Sequence, residues 1–525
     1  MSAKLIAVAQ GLSQLASCLS AKGTEKGNLD LDLVAISTEL AALREVVTHR
    51  LSDSSEFAMM NSVLEELAAA VDGLRFAKKN VVPFSAAAFL ARRADAESLA
   101  RKAAVLAALA IGSLTAVALP AAAADATTPT YVGMTAQDVG VLDRARPEYD
   151  AKGIPLGGFR MFPTMRASAN YDSNVLRTNT AAISDWFFQE TPAVRIQSQW
   201  GRHFFEVYGG LDNYNYADTT RLDLTDWNVG SDGRLDVSRA IQVNAAGSYG
   251  KFHEALQSPN TVGFQKSPNR YNHGNAQLSI SYQPNRIGIG VGASYDRYNW
   301  LNTPLIGPPP GTLFNSDRNE SVYQGYVRAS YDFSPGYSAF IKGLYEDRSF
   351  DHFLDRTGTH RSSVGYHIDA GVDMQISHLV AGEVFLGYLD QKFAPPLRDV
   401  TGVDYGVGLE WFASPVFTVH LQASHQVSDS ILAGVTATND QNVRLSADYE
   451  FRRNIIFTGF AAYTNSHFVG TTRTDDLPAA GLKMSYLMNR YMSLDTGYTY
   501  SKRSSNVAAV EFNDHLVSAG ITLHI

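Results

Sequence analysis

The sequence predicts an all-β fold, a transmembrane antiparallel β-barrel of about eighteen strands. Three observations support it: short turns alternate with longer polar loops, apolar and polar residues alternate between them, and aromatic residues crowd the strand ends. A sheet with tight turns on one rim and long loops on the other is the construction of outer-membrane barrels.

The connections alternate in length from Gly157 to the last residue, Ile525. The short connections are residues 201–202, 238–239, 284–286, 334–336, 377–378, 414–415, 452–454 and 489–490, and the longer ones include 257–266, 302–319, 355–361, 395–401 and 430–440. Eight short turns and nine long loops make eighteen strands, with both chain ends on the short-turn rim. Sixteen strands are the fallback if the weak segments 223–237 and 399–413 do not pair.

A period of two separates apolar from polar residues within the strand-like stretches, because successive side chains of a strand point to opposite faces. In the last stretch Val517, Ile521 and Leu523 alternate with Ser518 and Thr522. Alternation alone also fits a soluble sandwich. In the other strand-like stretches the polar residues are many and often charged, which favours a water-filled lumen over a solvated outer surface. In addition, one continuous meander would leave long unpaired sheet edges in a soluble protein, and only closure into a barrel removes them.

Aromatic residues beside the short turns are a further sign of a membrane barrel, because amphipathic rings favour the headgroup level. Strand propensity also favours aromatic residues, so the ordinary alternative is that they simply suit strands. The predicted girdle consists of Trp200, Phe204, Tyr331, Phe333, Tyr337, Trp411, Phe412, Phe417, Tyr449, Phe451, Tyr486 and Tyr491.

A secretion signal is predicted at residues 101–124. Arg101 and Lys102 precede an apolar run at 103–119, and alanines at 121–124 precede Asp125. A basic start, an apolar centre and an Ala-x-Ala end predict cleavage after about Ala124, although the run is long enough to serve as a membrane anchor. Residues 125–156 are then a periplasmic N-terminal segment, and residues 157–525 the barrel.

Residues 1–100 show heptad-like apolar spacing, for example at Val34, Leu40 and Leu43, which predicts a helical N-terminal extension. A start assigned too early in the gene and a genuine leader are both compatible with this segment. The sequence does not separate the two.

Composition and motifs argue against several function classes. A net charge of −8 argues against a nucleic-acid binder, which is usually basic. No G-x-S-x-G elbow, no EF-hand order and no His/Cys ligand spacing occurs in the sequence. The sequence therefore predicts no enzyme, no cofactor and no metal site.

The candidate functional residues are charged side chains that alternation turns toward the lumen. Their signs are roughly balanced, which argues against a strongly ion-selective pore and suits a hydrated, hydroxyl-rich polymer. The alternative is that they are generic lumen residues that stabilise the barrel. The predicted pore-lining set is Arg328, Asp332, Lys342, Glu346, Arg348, Asp369, Asp373, Glu383, Arg444, Asp448 and Glu450.

Several short motifs occur in a fixed order along the chain. Residues 144–150 read Arg-Ala-Arg-Pro-Glu-Tyr-Asp, 171–175 Tyr-Asp-Ser-Asn-Val, 198–203 Ser-Gln-Trp-Gly-Arg-His, 236–239 Asp-Val-Ser-Arg, 473–476 Arg-Thr-Asp-Asp and 486–490 Tyr-Leu-Met-Asn-Arg. Over residues 140–525 the chain resembles an outer-membrane, porin-like β-barrel family found with exopolysaccharide and capsule export genes. Ile525 departs from the terminal aromatic residue usual in such barrels, which bears on assembly and not on fold.

The resemblance implies an outer-membrane channel that serves as a conduit for exopolysaccharide secretion. Its expected partners are outer-membrane lipid, the barrel-assembly machinery, the polysaccharide and periplasmic export proteins. The alternative is a general or substrate-specific porin for small-solute uptake, and a minor alternative is a barrel-embedded enzyme. Fold alone does not decide among them.

Overall fold

The computed structural model describes residues 139–261, 265–306, 311–376 and 379–525. The predicted helical extension at 1–100, the signal at 101–124, the first part of the segment at 125–156 and the turn at 377–378 lie outside the described residues. Among the described residues, no helix is long and apolar enough to cross a membrane.

Eighteen long strands make up the described part of the chain. They are β1 Phe159–Asp172, β2 Asp185–Ser198, β3 Phe204–Tyr216, β4 Leu224–Asp236, β5 Ile241–His253, β6 Arg270–Tyr282, β7 Ile287–Trp300, β8 Glu320–Ser334, β9 Tyr337–Phe350, β10 Ser363–Ile376, β11 Val380–Phe393, β12 Val400–Ser414, β13 Phe417–Asp429, β14 Ala437–Arg452, β15 Ile455–Phe468, β16 Thr474–Asn489, β17 Met492–Ser505 and β18 Phe512–His524.

The strands form one closed antiparallel barrel. Each pairs with its sequence neighbours, and β18 pairs back onto β1 with Met165 opposite Leu523. The prediction of eighteen strands is confirmed. Both weak segments pair on each side, as β4 and as β12, so the sixteen-stranded fallback is wrong.

The two rims differ as predicted. Connections of two to five residues close one rim, and connections of five to nineteen residues close the other. The turn between β8 and β9 shows why its residues suit it: Gly336 has φ +77°, and a Cβ there would lie 2.5 Å from the carbonyl oxygen of Gln375. Only glycine fits this turn without displacing the neighbouring strand.

Apolar and polar side chains lie on opposite faces of the wall. Large apolar residues at mid-strand are exposed on the outer face, including Leu386 at 64%, Ile368 at 62% and Val327 at 58%. Their sequence neighbours on the inner face are polar or small, except for Phe385 beside Leu386. A one-residue slip of register would exchange the two sets, so the alternation specifies the register.

The predicted aromatic girdle is present with two exceptions. Trp200, Tyr331 and Tyr491 are about half exposed on the outer face beside the short turns. Phe204 instead lies on the inner face opposite Arg234, and Phe412 is buried, at 6% exposure, where a bulge interrupts the end of β12. Strand propensity alone explains these two rings, and their inclusion in the girdle was wrong.

Short elements and a small apolar core complete the fold. Ile154–Leu156 pairs with the start of β1, Thr303–Pro304 pairs with Thr312–Leu313, and 3-10 turns span Thr220–Leu222, Ser316–Arg318 and Ala508–Val510. Leu389, Val400 and Ala437 form a buried cluster near the long-loop rim, with Phe393, Val427 and Val469 packed against it. Apolar packing inside the barrel is thus concentrated under the long loops.

Candidate functional site

The structure places all eleven predicted pore-lining residues on the inner face of the wall. Register relates several of them: Lys342 lies opposite both Arg328 and Asp369, and Asp373 lies opposite Glu383. Gln283 donates a hydrogen bond of 2.8 Å to Asp332. That these residues line a solute path stays a prediction.

Arg328 is the centre of the first charged group. Its guanidinium donates hydrogen bonds of 2.8 Å to Glu383 and 2.7 Å to Asp373, two strands or more along the wall. It also lies 3.6 Å over the ring of Phe340. The ring and the two carboxylates hold the guanidinium in one place, so it forms a fixed feature of the inner surface.

Arg348 is the centre of a second group near the long-loop rim. It donates a hydrogen bond of 3.2 Å to Glu346 and forms an ion pair with Asp429 at the end of β13. Gln324 donates to the same Glu346 at 2.7 Å. The ion pair between Arg348 and Asp429 thus connects β9 to the long-loop end of β13, although other strands lie between these two along the wall.

Asp448 and Arg444 belong to a third group, on β14. Asp448 is buried and accepts hydrogen bonds from Thr458 at 2.6 Å and from His420 at 3.0 Å. The Arg444 guanidinium lies 4.2 Å over the ring of Phe460. Sequence reasoning missed His420, although its position on the inner face of β13 follows from alternation.

The stretch that precedes the barrel enters the lumen at the short-turn end; we call residues 139–150 the lumen segment. Val141 is fully buried, and its amide donates a 3.0 Å hydrogen bond to Thr418. Arg146, at 3% exposure, donates a 2.6 Å hydrogen bond to Glu450 on β14. Sequence reasoning found Glu450 but not its partner, which belongs to the motif at 144–150.

At the other end, a buried polar network anchors residues 254–261 and 265–269, the described parts of the connection between β5 and β6, which we call the crossing loop. Arg318 donates hydrogen bonds of 2.7 and 3.1 Å to Glu254 and lies 3.4 Å over the ring of Trp300. Asn269 donates a further bond of 2.6 Å to Glu254. Burial alone raises the pKa of Glu254, but the hydrogen bonds and charge of Arg318 outweigh it and hold the pKa below its usual value.

The far part of the crossing loop reaches the opposite wall. The Gln257 carbonyl accepts a hydrogen bond from Arg503 of β17, and Asn260 donates one of 3.4 Å to the Asp429 carbonyl. Asn260 also accepts a bond of 3.2 Å from the amide of Ile431. β13 and β17 lie six or seven strands from the loop's own strands around the wall. The loop therefore crosses the lumen near the long-loop rim and narrows it.

The inner face is acidic, so the expected charge balance is wrong. Acidic side chains outnumber basic ones on the inner face of the eighteen strands by about two to one, counted from the strand register. Outside the predicted set, the acidic side chains on the inner face are Asp172, Asp185, Glu206, Asp212, Asp226, Asp232, Asp236, Asp296, Glu320, Asp404, Glu410, Asp440, Asp475, Asp495 and Asp514. The basic side chains there are Arg160, Arg166, Arg195, Arg234, Lys483 and Arg503. Most of these additional carboxylates lie on strands that contribute no residue to the predicted set.

Comparison with known proteins gives one family and several distant structures. A family described as "Putative beta-barrel porin 2" matches residues 146–525. Among curated proteins, none matches this chain in sequence.

Three of the solved structures that the chain is similar to are remote in sequence. Pseudomonas aeruginosa OccK2 (OpdF) in complex with glucuronate is 11% identical over 71% of this chain and 100% of its own, with a TM-score of 0.38. A BenF-like porin from Pseudomonas fluorescens Pf-5 is 11% identical over 70% and 100%, with a TM-score of 0.39. The siderophore receptor PirA from Acinetobacter baumannii is 6% identical over 70% and 80%, also at 0.39. At these values the likeness carries no argument about function.

Proposed function

We propose a function from one premise: the chain belongs to this family of β-barrel porins and lies in the bacterial outer membrane. The proposed function is passive diffusion of small hydrophilic solutes across that membrane. The crossing loop is the observation that carries the proposal, because it reaches the opposite wall and narrows a lumen lined by polar side chains.

The inner wall suits small hydrophilic solutes. Charged and amide side chains line it at every level, and the charged groups are held by partners such as Asp373 for Arg328 and Asp495 for Arg166. Held charges act as a fixed polar surface along which a hydrated solute exchanges water for protein hydrogen bonds.

Polysaccharide export, the main prediction from sequence, is the weaker candidate. Eighteen strands enclose a lumen wide enough for an aqueous channel. An extended sugar chain would still have to pass the lumen segment at one end and the crossing loop at the other, and the loop is anchored on both walls. Both elements therefore obstruct an extended polymer more than they obstruct a small solute, which favours small-solute diffusion over export.

The experiment is permeation through the purified barrel in liposomes, measured with uncharged solutes of increasing size. We expect small solutes to enter and polymer fragments to be excluded. Asn260→Ala removes two hydrogen bonds that hold the loop to the far wall, so it should raise the size limit. Asn506→Ala is a matched control. Asn506, in the connection between β17 and β18, also makes two hydrogen bonds, but its partners are Thr472 and Thr474 in the neighbouring connection and the strand start that follows it.

Two results would overturn the proposal. One is the absence of permeation by any solute from a correctly folded barrel. The other is a gene deletion that abolishes surface polysaccharide while uptake of small solutes is unchanged, which would select the export function.

A further inference from the structure

One part of the inner wall differs in chemistry from the rest. A cavity of about 780 Å³ lies against the inner face of strands β3 to β9, from the short-turn end toward mid-strand. Six of its sixteen lining residues carry an amide or an aliphatic hydroxyl group, and we call this group the amide patch: Gln242, Asn244, Gln277, Ser279, Ser294 and Gln324. The patch covers three adjacent strand pairs, so it is a continuous surface rather than scattered residues.

The amide patch carries no net charge. Between Gln242 and Ser281 the inner faces of the described strands β5 and β6 bear amide, hydroxyl, aromatic and small side chains and one histidine, but no Asp, Glu, Lys or Arg. The charges at the cavity are Asp232 and Arg234 of β4, and Arg234 forms an ion pair with Asp236 at 3.4 Å. The charged groups therefore lie at the β4 edge of the cavity, and the amide patch itself is uncharged.

The patch retains hydrogen-bonding capacity. The side chain of Gln277 is exposed to the lumen and makes no hydrogen bond to the residues that the structure describes. Ser294 donates to Gln324 at 3.3 Å, and Gln324 donates to Glu346 at 2.7 Å, which holds that amide in one orientation. An amide offers two donors and an acceptor side by side, which matches neighbouring hydroxyl groups of a polyol.

An aromatic ring lies beside the amides. Tyr326 is directly opposite Gly292 in the strand register, and its Cζ and Oη atoms lie 2.7 and 2.9 Å from where a Cβ on Gly292 would be. Because Gly292 has no side chain, one face of the Tyr326 ring lies against the backbone of the wall. The other face of the ring is directed toward the cavity. The apolar C–H face of a sugar packs on such a ring, as an amphipathic group does on aromatic surfaces.

We infer that the amide patch with Tyr326 is a binding surface for an uncharged, polyhydroxylated solute of mono- or disaccharide size. The inference rests on the proposed function, because the solute reaches the patch by diffusion through the lumen. The cavity volume lies within the range of about 300–1,000 Å³ that is usual for small-molecule pockets, which suits a ligand of mono- or disaccharide size. The one cation that lines the cavity, Arg234, is paired with Asp236 and stands beside Asp232, which favours an uncharged ligand over an acidic sugar.

The test is single-channel recording of the full-length purified protein in a planar bilayer, with maltose as the uncharged probe and glucuronate as the acidic one. Maltose should interrupt the ion current in a concentration-dependent way, and glucuronate should do so at least about tenfold less well. Tyr326→Leu should weaken maltose block by about three- to tenfold, and Gln277→Ala by a similar factor, as expected for the loss of one stacking contact or one hydrogen bond.

Two control variants keep the result interpretable. Tyr326→Phe retains the ring and should behave like the parent protein. Gln422→Ala makes the same truncation on the inner face of β13, away from the cavity, and should leave maltose block unchanged.

The inference fails if maltose does not interrupt the current of a conducting channel, or if Gln422→Ala weakens block as much as Gln277→Ala. A reconstituted barrel that carries no ion current would instead overturn the proposed function itself. The two failures are therefore distinguishable in the same recording.

Discussion

Arg146 and Glu450 are separated by 304 positions in the chain and form a 2.6 Å hydrogen-bonded ion pair inside the barrel. The side chains are exposed by only 3% and 6%. Arg146 also donates to the carbonyl of Val141 at 2.7 Å, so one guanidinium holds the lumen segment both to the wall and to itself. The segment that leads into the barrel thus occupies part of the lumen at the short-turn end.

Arg146→Ala should release the lumen segment and raise single-channel conductance. Removal of one partner from a buried ion pair costs about 3–5 kcal/mol, because the remaining carboxylate stays buried without compensation. Arg144→Ala is the control: its guanidinium is 3.8 Å from Glu450 and more exposed, so conductance should hardly change. Equal conductance in both variants would show that the segment does not restrict the path.

The acidic inner face should make the channel cation-selective. Carboxylates that outnumber basic groups raise the local concentration of cations and lower that of anions. The reversal potential under a KCl gradient at 0.1 M should correspond to a K⁺/Cl⁻ permeability ratio above one. At about 1 M salt the Debye length falls to about 3 Å, so the ratio should approach one. An anion preference at low salt would contradict the charge count.

Acid should loosen the crossing loop through Glu254. Its pKa lies below the usual value in the folded protein, so the contribution of its ion pair to stability is complete above the usual glutamate pKa of about 4.3 and is lost as pH falls through the lower pKa of the folded state. Channel current should become noisier as the pH is lowered from neutral through that acidic range. Glu254→Gln should show that noise already at pH 7. If the current noise does not change with pH in either protein, the Glu254 ion pair does not stabilise the crossing loop.

The outer face should tolerate charge poorly at mid-strand. Leu386 lies at the middle of β11 and is 64% exposed on the outer face. Leu386→Arg should cost about 2–4 kcal/mol in folding free energy in lipid, whereas Gln422→Arg on the inner face should cost far less. The loss of heat-modifiable gel migration measures the difference. Equal tolerance of the two variants would contradict the assignment of faces.

Charge reversals on the inner wall should differ according to their ion pairs. Arg348 lies among Glu320, Glu346 and Asp429, so Arg348→Glu places a fourth acid in that group and should impair barrel assembly. Lys342→Glu removes a side chain that lies opposite Asp369 without a described ion pair, and assembly should persist. Gel migration after heating reports assembly, and normal folding of both variants would show that the Arg348 group is dispensable.

Local patterns in the sequence determine most of the barrel. The period of two assigns each side chain to a face, and alternating connection lengths assign each strand end to a rim, because both depend only on neighbouring residues. Strand number, closure and the inner position of residues such as Arg328 and Asp448 could therefore be predicted. The exceptions, Phe204 and Phe412, occur at strand ends, where an aromatic residue suits either face.

The occupants of the lumen were decided only by the tertiary structure. The loop length at 257–266 was visible in the sequence, but not that Gln257 and Asn260 reach β17 and the end of β13. Contacts such as Arg146 with Glu450 and Arg318 with Glu254 join residues that closure of the barrel brings together. No local period encodes them, because they depend on the reach of individual side chains across an enclosed space. The wall is thus a property of the sequence pattern, and what narrows the lumen is a property of the closed fold.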